Sequence, residues 1–320
     1  MTRISNLATS KLIQSTIMRT QERIADRQLQ ISTLQKSQDY GGVANESSRL
    51  VTLESSRRRV DQFLAEGANV QLRMQTMLNS IDALKTTLSD VKGMVREVLD
   101  DGTVPNGIDK DEFANVKMAE IEDYLNVKVA GRYLFAGSLT ETKPVDIVSP
   151  NDFETDAPDF NDGITTFETA AEPSFYYQGD DTKIKARINE GLEIQYGATA
   201  ADPAFEQLIR AVRIIRTVDP ATDADAPEKF QEALDLCNAA LESMEALELN
   251  IGTKLEQTDR TSKLLKDSKN FLNGVISDLE SADTFTAVAE LTQEQTMLEA
   301  SYNTLVRLSS LTMTKFLTGG

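Results

Sequence analysis

The stretch Val60–Val98, VDQFLAEGANVQLRMQTMLNSIDALKTTLSDVKGMVREV, decides the fold. Its apolar residues are Val60, Phe63, Val70, Met74, Met77, Ile81, Leu84, Leu88, Val91, Val95 and Val98. They recur in steps that alternate between three and four, and Gly67 fills the one missing place. That spacing lines them up along one face of a helix. Outward from this stretch the pattern predicts a helix from Asn45 to about Leu99, which at the standard rise is about 80 Å long. A seam of that length must be covered by another helix.

The same grid returns in the C-terminal half. From about Pro227 the stripe reads Phe230, Leu234, Cys237, Leu241, Met244, Ile251, Leu255, Leu265, Leu272, Ile276 and Leu279. The two long helices are of similar length, so their stripes are expected to meet as an antiparallel pair. A shorter helix is predicted from Lys110 to about Val129, and another from Pro203, with Phe205, Leu208, Ile209, Val212 and Ile215 on its face. Between the long helices the period changes to two: Ile184, Ala186 and Ile188 alternate with charged residues, Asn189-Glu190-Gly191 turns, and Leu192, Ile194 and Tyr196 alternate back. That is a hairpin pattern. The expected fold is therefore mainly α: a long antiparallel helical, coiled-coil rod from the two halves of the chain, with a small β-rich tip domain inserted in the middle. The expected division is residues 1–44 as an N-terminal arm, 45–140 as the ascending rod, 141–203 as the tip, 204–283 as the returning rod and 284–320 as a C-terminal arm.

The arms carry seams of their own. In the first, Ile17, Ile24 and Ile31 recur every seven residues, with Ile13, Thr20, Arg27 and Leu34 between them, and Asp39-Tyr40-Gly41-Gly42 is the expected break. In the last, Val288, Leu291, Leu298, Tyr302, Leu305 and Phe316 share a stripe with Gln295, Ser309 and Thr312, after a predicted cap at Ser281-Ala282-Asp283-Thr284. Neither seam has a complement left in the rod, and an isolated amphipathic helix is marginal in water. The arms are expected to be loose in the free chain and to pack on other subunits after assembly.

Composition narrows the function. Of 320 residues, 40% are hydrophobic and 6% aromatic, with no Trp, which suits aliphatic helical seams. The net charge is −18, and the segment from Glu141 to Asp202 holds fourteen acidic against four basic residues. Such a chain repels phosphate backbones and anionic bilayers, so neither nucleic acid nor membrane insertion is expected. Arg57, Arg58 and Arg59 read as a solvated helix face. No run of apolar residues is long enough to span a bilayer, and the N-terminus lacks the pattern of a cleaved signal. With no His in the chain, there is no His-dependent acid–base pair, Ser-His-Asp triad or His metal ligand. No phosphate loop occurs. The acids Asp156, Asp159, Asp162, Asp180 and Asp181 do not follow calcium-loop spacing. No enzyme activity, cofactor or metal is expected. The lone Cys237 sits on an apolar stripe and reads as a small buried hydrophobe.

Three motifs carry a family resemblance. Gly131-Arg132-Tyr133-Leu134-Phe135-Ala136-Gly137-Ser138 is the first, Tyr176-Tyr177-Gln178-Gly179-Asp180-Asp181 the second, and the run from Ala289 to Tyr302, AELTQEQTMLEASY, the third. In this order they resemble the flagellar hook-filament junction proteins (hook-associated protein type 3) of the flagellin superfamily. The flagellin-type RLSSG stretch is absent, since Leu29 to Lys36 reads LQISTLQK, and Asp39-Tyr40-Gly41-Gly42 stands where that family often has a DDP-like turn. The resemblance implies a structural adaptor between hook and filament. It would be exported through the flagellar type III channel without a cleaved signal, with an export chaperone, and would be extracellular in the flagellum. Its partners would be copies of itself in a ring, the neighbouring hook-associated protein and flagellin. The arm residues Ile17, Ile24, Ile31, Leu34, Leu291, Leu298, Tyr302, Leu305 and Phe316 are then the candidate subunit contacts. A flagellin-like filament subunit is the alternative, and a secreted coiled-coil effector a third reading.

Overall fold

Three of the helices start where a short polar side chain satisfies their first amides. The computed structural model describes residues 2–37, 46–147 and 176–317, with the backbone alone at 2–10 and 308–317. Its helices are α1 (Thr2–Thr33), α2 (Ser47–Asp101), α3 (Lys110–Leu125), α4 (Pro203–Thr217), α5 (Ala226–Glu280) and α6 (Thr284–Leu317). Asp109 caps α3 by accepting from the amides of Asp111 and Glu112. Asp202 caps α4 through Ala204 N, with Pro203 in the first turn. Asp283 caps α6, accepting from Phe285 N at 3.0 Å and Thr286 N at 3.2 Å, where the sequence predicts a cap. The turn expected at Asp39–Gly42 and the acids Asp156, Asp159 and Asp162 lie outside the described residues.

The strands are β1 (Lys128–Val129), β2 (Arg132–Tyr133), β3 (Lys185–Asn189) and β4 (Leu192–Gln195), in two separate antiparallel hairpins. β1 and β2 turn through Ala130 (φ 52°) and Gly131 (φ 78°), the two-residue connection that matches strand twist. Pairing of Lys128 and Val129 with β2 ends α3 earlier than the apolar spacing alone suggests. β3 and β4 pair Ala186 with Ile194 and bury Ala186, Ile188, Ile194 and Tyr196, as the alternation predicts.

The described residues divide into two compact units, residues 60–267 and residues 1–59 with 268–320. In the 60–267 unit the stripe of α2 is fully buried from Val70 to Val98. Lys85 Nζ lies 3.0 Å from Glu248 Oε2, and Gly67 stands against Ser262, so α2 and α5 run antiparallel here. A Cβ at Gly67 would lie 3.2 Å from Ser262 Oγ, so a side chain at the missing apolar place in the stripe would press on Ser262. On α5 the seam turns slightly from the expected one: Ala233 and Ala240 are fully buried, while Leu234 and Leu241 pack at its margin. Small residues at the contact let the backbones approach, and the leucines cover the flanks. The core also takes in α3, α4 and both hairpins. Helix α4 is amphipathic: it buries Ala204, Ala211 and Ile214 as well as its expected face, while Glu206 and Arg210 pair on its polar side. The fold is mainly α with a small β-rich part.

Candidate assembly surface

The other unit contains the candidate subunit contacts, and here the structure corrects an expectation. The arms do not lack a complement within the chain, because α1 and α6 pack on each other. They run antiparallel: Arg23 Nε lies 3.1 Å from Glu294 Oε1, Arg27 Nη2 lies 2.7 Å from Glu290 Oε2, and Gln21 Nε2 donates to Tyr302 Oη at 3.0 Å. The reason is that both arms carry a seven-residue repeat of similar length, and each covers the other.

On α1 the seam is the expected one. Ile17 and Thr20 are buried, and Ile13, Ile24, Arg27 and Ile31 are half-buried. Leu34 is different. It lies past the end of α1 with φ 61° and is 58% exposed. Its amide donates to Gln30 O at 2.8 Å, closing the helix in the left-handed conformation that usually belongs to glycine. The chain leaves the helix there to meet the α5–α6 junction. Ala282 N donates to Leu34 O at 3.0 Å, Lys36 N donates to Glu280 O at 2.7 Å, and Lys36 Nζ donates to Leu279 O at 2.8 Å.

On α6 the seam is rotated by one residue at alternate places. Leu291, Leu298 and Leu305 are half-buried as expected, but Ala287, Glu294 and Ser301 complete the inner face. Val288 and Tyr302 stand at or beyond its edge, 48% and 43% exposed. Phe285 and Val306 share that outer side and are 89% and 66% exposed. Phe316 belongs to α6 by its backbone. Leu12, Met18 and Leu29 are likewise exposed on α1. The arm pair thus keeps an apolar outer edge after its inner seam is closed. Arg27 stands on the α1 repeat read from the sequence, and its charged neighbours Arg23, Glu290 and Glu294 are the seam residues that apolar periodicity misses.

The motifs at residues 131–138 and 176–181 meet in space within the 60–267 unit. Leu134, Phe135 and Ala136 are buried, and the Phe135 ring meets Phe205 edge-on with centroids 5.7 Å apart. Arg132 and Tyr133 form β2 after the turn at Gly131. Asp180 N donates to Ala136 O at 3.2 Å, Ser138 N donates to Asp180 Oδ1 at 2.6 Å, and Ser138 Oγ donates to Asp180 Oδ2. Tyr177 Oη donates to Asp180 O at 2.6 Å. Gly137 has φ 68°, and a Cβ there would collide with the Asp180 carbonyl. The Ser138 hydroxyl and amide hold the Asp180 carboxyl below its ordinary range. These motif residues form a structural latch between two loops. Cys237 is buried, and burial pushes its thiol up to about 12. Among the described residues no group of His, Cys, Asp and Glu could hold a metal ion, and no helix is long and apolar enough to cross a membrane.

Residues 234–317, which include all of α6, match the family model for the bacterial flagellin C-terminal helical region. This stretch is flagellin-like. The resemblance to the flagellin superfamily read from the motifs is borne out. The fold is similar to that of a protein from Vibrio parahaemolyticus described as a flagellar hook-associated protein, with a TM-score of 0.53 at 13% identity over 72% of this chain and 96% of that one. The crystal structure of Bacillus cereus FlgL aligns with a TM-score of 0.49 at 14% identity, over 72% of this chain and 99% of that one. No curated protein sequence matches the chain.

Proposed function

We propose that this chain is a structural adaptor of the bacterial flagellum that joins hook to filament. The observation that carries the reading is the flagellin-like arm α6, paired with α1 yet keeping Phe285, Val288 and Val306 exposed. Large apolar side chains aligned along one edge of a surface helix are what an assembling subunit offers its neighbours. In this reading the chain is exported without a cleaved signal and helped by an export chaperone. It then forms a ring with copies of itself, against a hook-associated protein on one side and flagellin on the other. Its place is outside the cell, in the flagellum. The hook-filament motifs, with no RLSSG stretch at 29–36, favour the adaptor over a bulk filament subunit.

A deletion strain tests it. Hooks without this protein should carry no stable filaments and should shed flagellin monomer into the medium. Full-length filaments on such hooks would refute the adaptor reading. Copy number separates the alternative: a filament subunit would dominate sheared filaments, whereas an adaptor would be a trace component. Co-sedimentation with liposomes would support the effector reading instead.

A further inference from the structure

We propose that Arg23, Arg27, Glu290 and Glu294 form a charge code by which α1 selects α6 of its own chain, at one register, over the arms of other copies. The apolar layers cannot do this. Ile17, Ile24 and Ile31 repeat every seven residues, and so do Leu291, Leu298 and Leu305. A slide by one repeat still sets two of the three isoleucines on leucines, and pairing like arms from two copies would also bring aliphatic layers together. The charged positions are not degenerate. Arg27 and Glu294 stand on the inner stripes themselves, and each has a partner from the other helix, Glu290 and Arg23.

Sliding one repeat in one direction sets Arg27 against Met297 and Arg23 against Ser301. Sliding the other way gives Arg27 a new acid in Asp283 but sets Arg23 against Ala287 and Glu294 against Thr16. Either leaves charge in the seam without its partner. Arg27 Nε and Glu294 Oε2 are buried with no hydrogen-bond partner, so these groups depend on the ion pairs around them. Glu294 is the most shielded of the four, with 12% of its side chain exposed, and a charge so placed is disfavoured once its partner is gone, whereas the intact, partly exposed pairs add little net stability. That combination serves choice of partner rather than strength. Pairing α1 with another α1 would oppose two pairs of arginines, and pairing α6 with another α6 would oppose two pairs of glutamates. The clasp at Leu34–Lys36 and Glu280–Ala282 anchors one end mainly through main-chain atoms, which carry no charge code.

The inference bears on the proposed function only in deciding which edge of the arm pair faces outward, and its test needs only the purified full chain. Cysteines at Gln21→Cys and Tyr302→Cys, at the site of a 3.0 Å contact, report α1–α6 pairing through a short bis-maleimide. Buried Cys237 does not compete. The parent chain should give one intramolecular product. Glu290→Arg with Glu294→Arg should abolish it, and adding Arg23→Glu with Arg27→Glu should restore it. A Glu290→Gln, Glu294→Gln chain should retain part of the product, because it removes attraction without adding repulsion. The code is refuted if the product survives the two-residue reversal, if the four-residue swap fails to restore it, or if the glutamine chain loses as much as the arginine chain. All four positions lie outside the 60–267 unit, so the thermal melt of that unit shows that each variant is folded.

Discussion

Phe135 shows how a residue that looks like part of a recognition motif can act through packing. Its ring is fully buried against Phe205, and its carbonyl accepts from Ala200 N at 2.8 Å. Phe135→Ala is expected to cost about 3–5 kcal/mol in a denaturant titration, as for other large-to-small changes in a core. Asp180 tests the same latch electrostatically. Its carboxyl is held below its ordinary value, first by the Ser138 hydroxyl and then by the Ser138 amide. A group with a depressed folded pKa adds stability above its unfolded value, and that stability is lost as pH falls through the folded value. Acidification below about pH 4, the ordinary Asp range, should therefore loosen the latch. Asp180→Asn should flatten this part of the stability–pH curve, and a curve unchanged by the substitution would mean that Asp180 does not contribute to it.

At the scale of elements, helix ends are set by what the next segment must do. The first arm stops at Thr33, well before the expected glycine turn, because Leu34 and Lys36 bond the α5–α6 junction through their backbones. Leu34 bears the left-handed conformation without being glycine, which costs about 1–2 kcal/mol for an L-residue. Its side chain is exposed, so Leu34→Gly loses little packing. That substitution is expected to stabilise the arm pair by up to about 1 kcal/mol, read as slower amide exchange in α1 and α6. The rotated seam of α6 has a related cause. The helix is apolar over a wider arc than one partner covers, and α1 takes the side lined by Ala287, Glu294 and Ser301. Those smaller or charge-matched residues allow close approach and ion pairing, and Val288 and Tyr302 remain outside or at the margin.

For the whole molecule the consequence is a separation of folding from assembly. The continuous core lies in residues 60–267, and the outer edge of the arms adds little to it. Val288→Asp with Val306→Asp should leave thermal melting of the purified chain unchanged while preventing its incorporation into flagella, scored by filament-bearing hooks in a complemented deletion strain. Normal incorporation would show that this edge is not the assembly surface. Leu298 and Leu305 are poorer probes, because they face α1 and their replacement would open the arm pair as well.

Much of this was legible from periodicity. Helix seams and the β3–β4 hairpin follow from spacing, because a side chain's face is set by the local backbone period. The mainly helical class, the buried stripe Val70–Val98, the cap at Asp283 and the resemblance carried by three motifs could all be read before any fold was known. Periodicity could not say which partner would cover the arms, since two seven-residue repeats fit each other as well as they fit a neighbour's. Nor could it reveal that the motifs at 131–138 and 176–181 close on one another around Asp180. Those outcomes depend on groups far apart in the chain being brought within hydrogen-bond and ion-pair distance, and only the tertiary structure decides that.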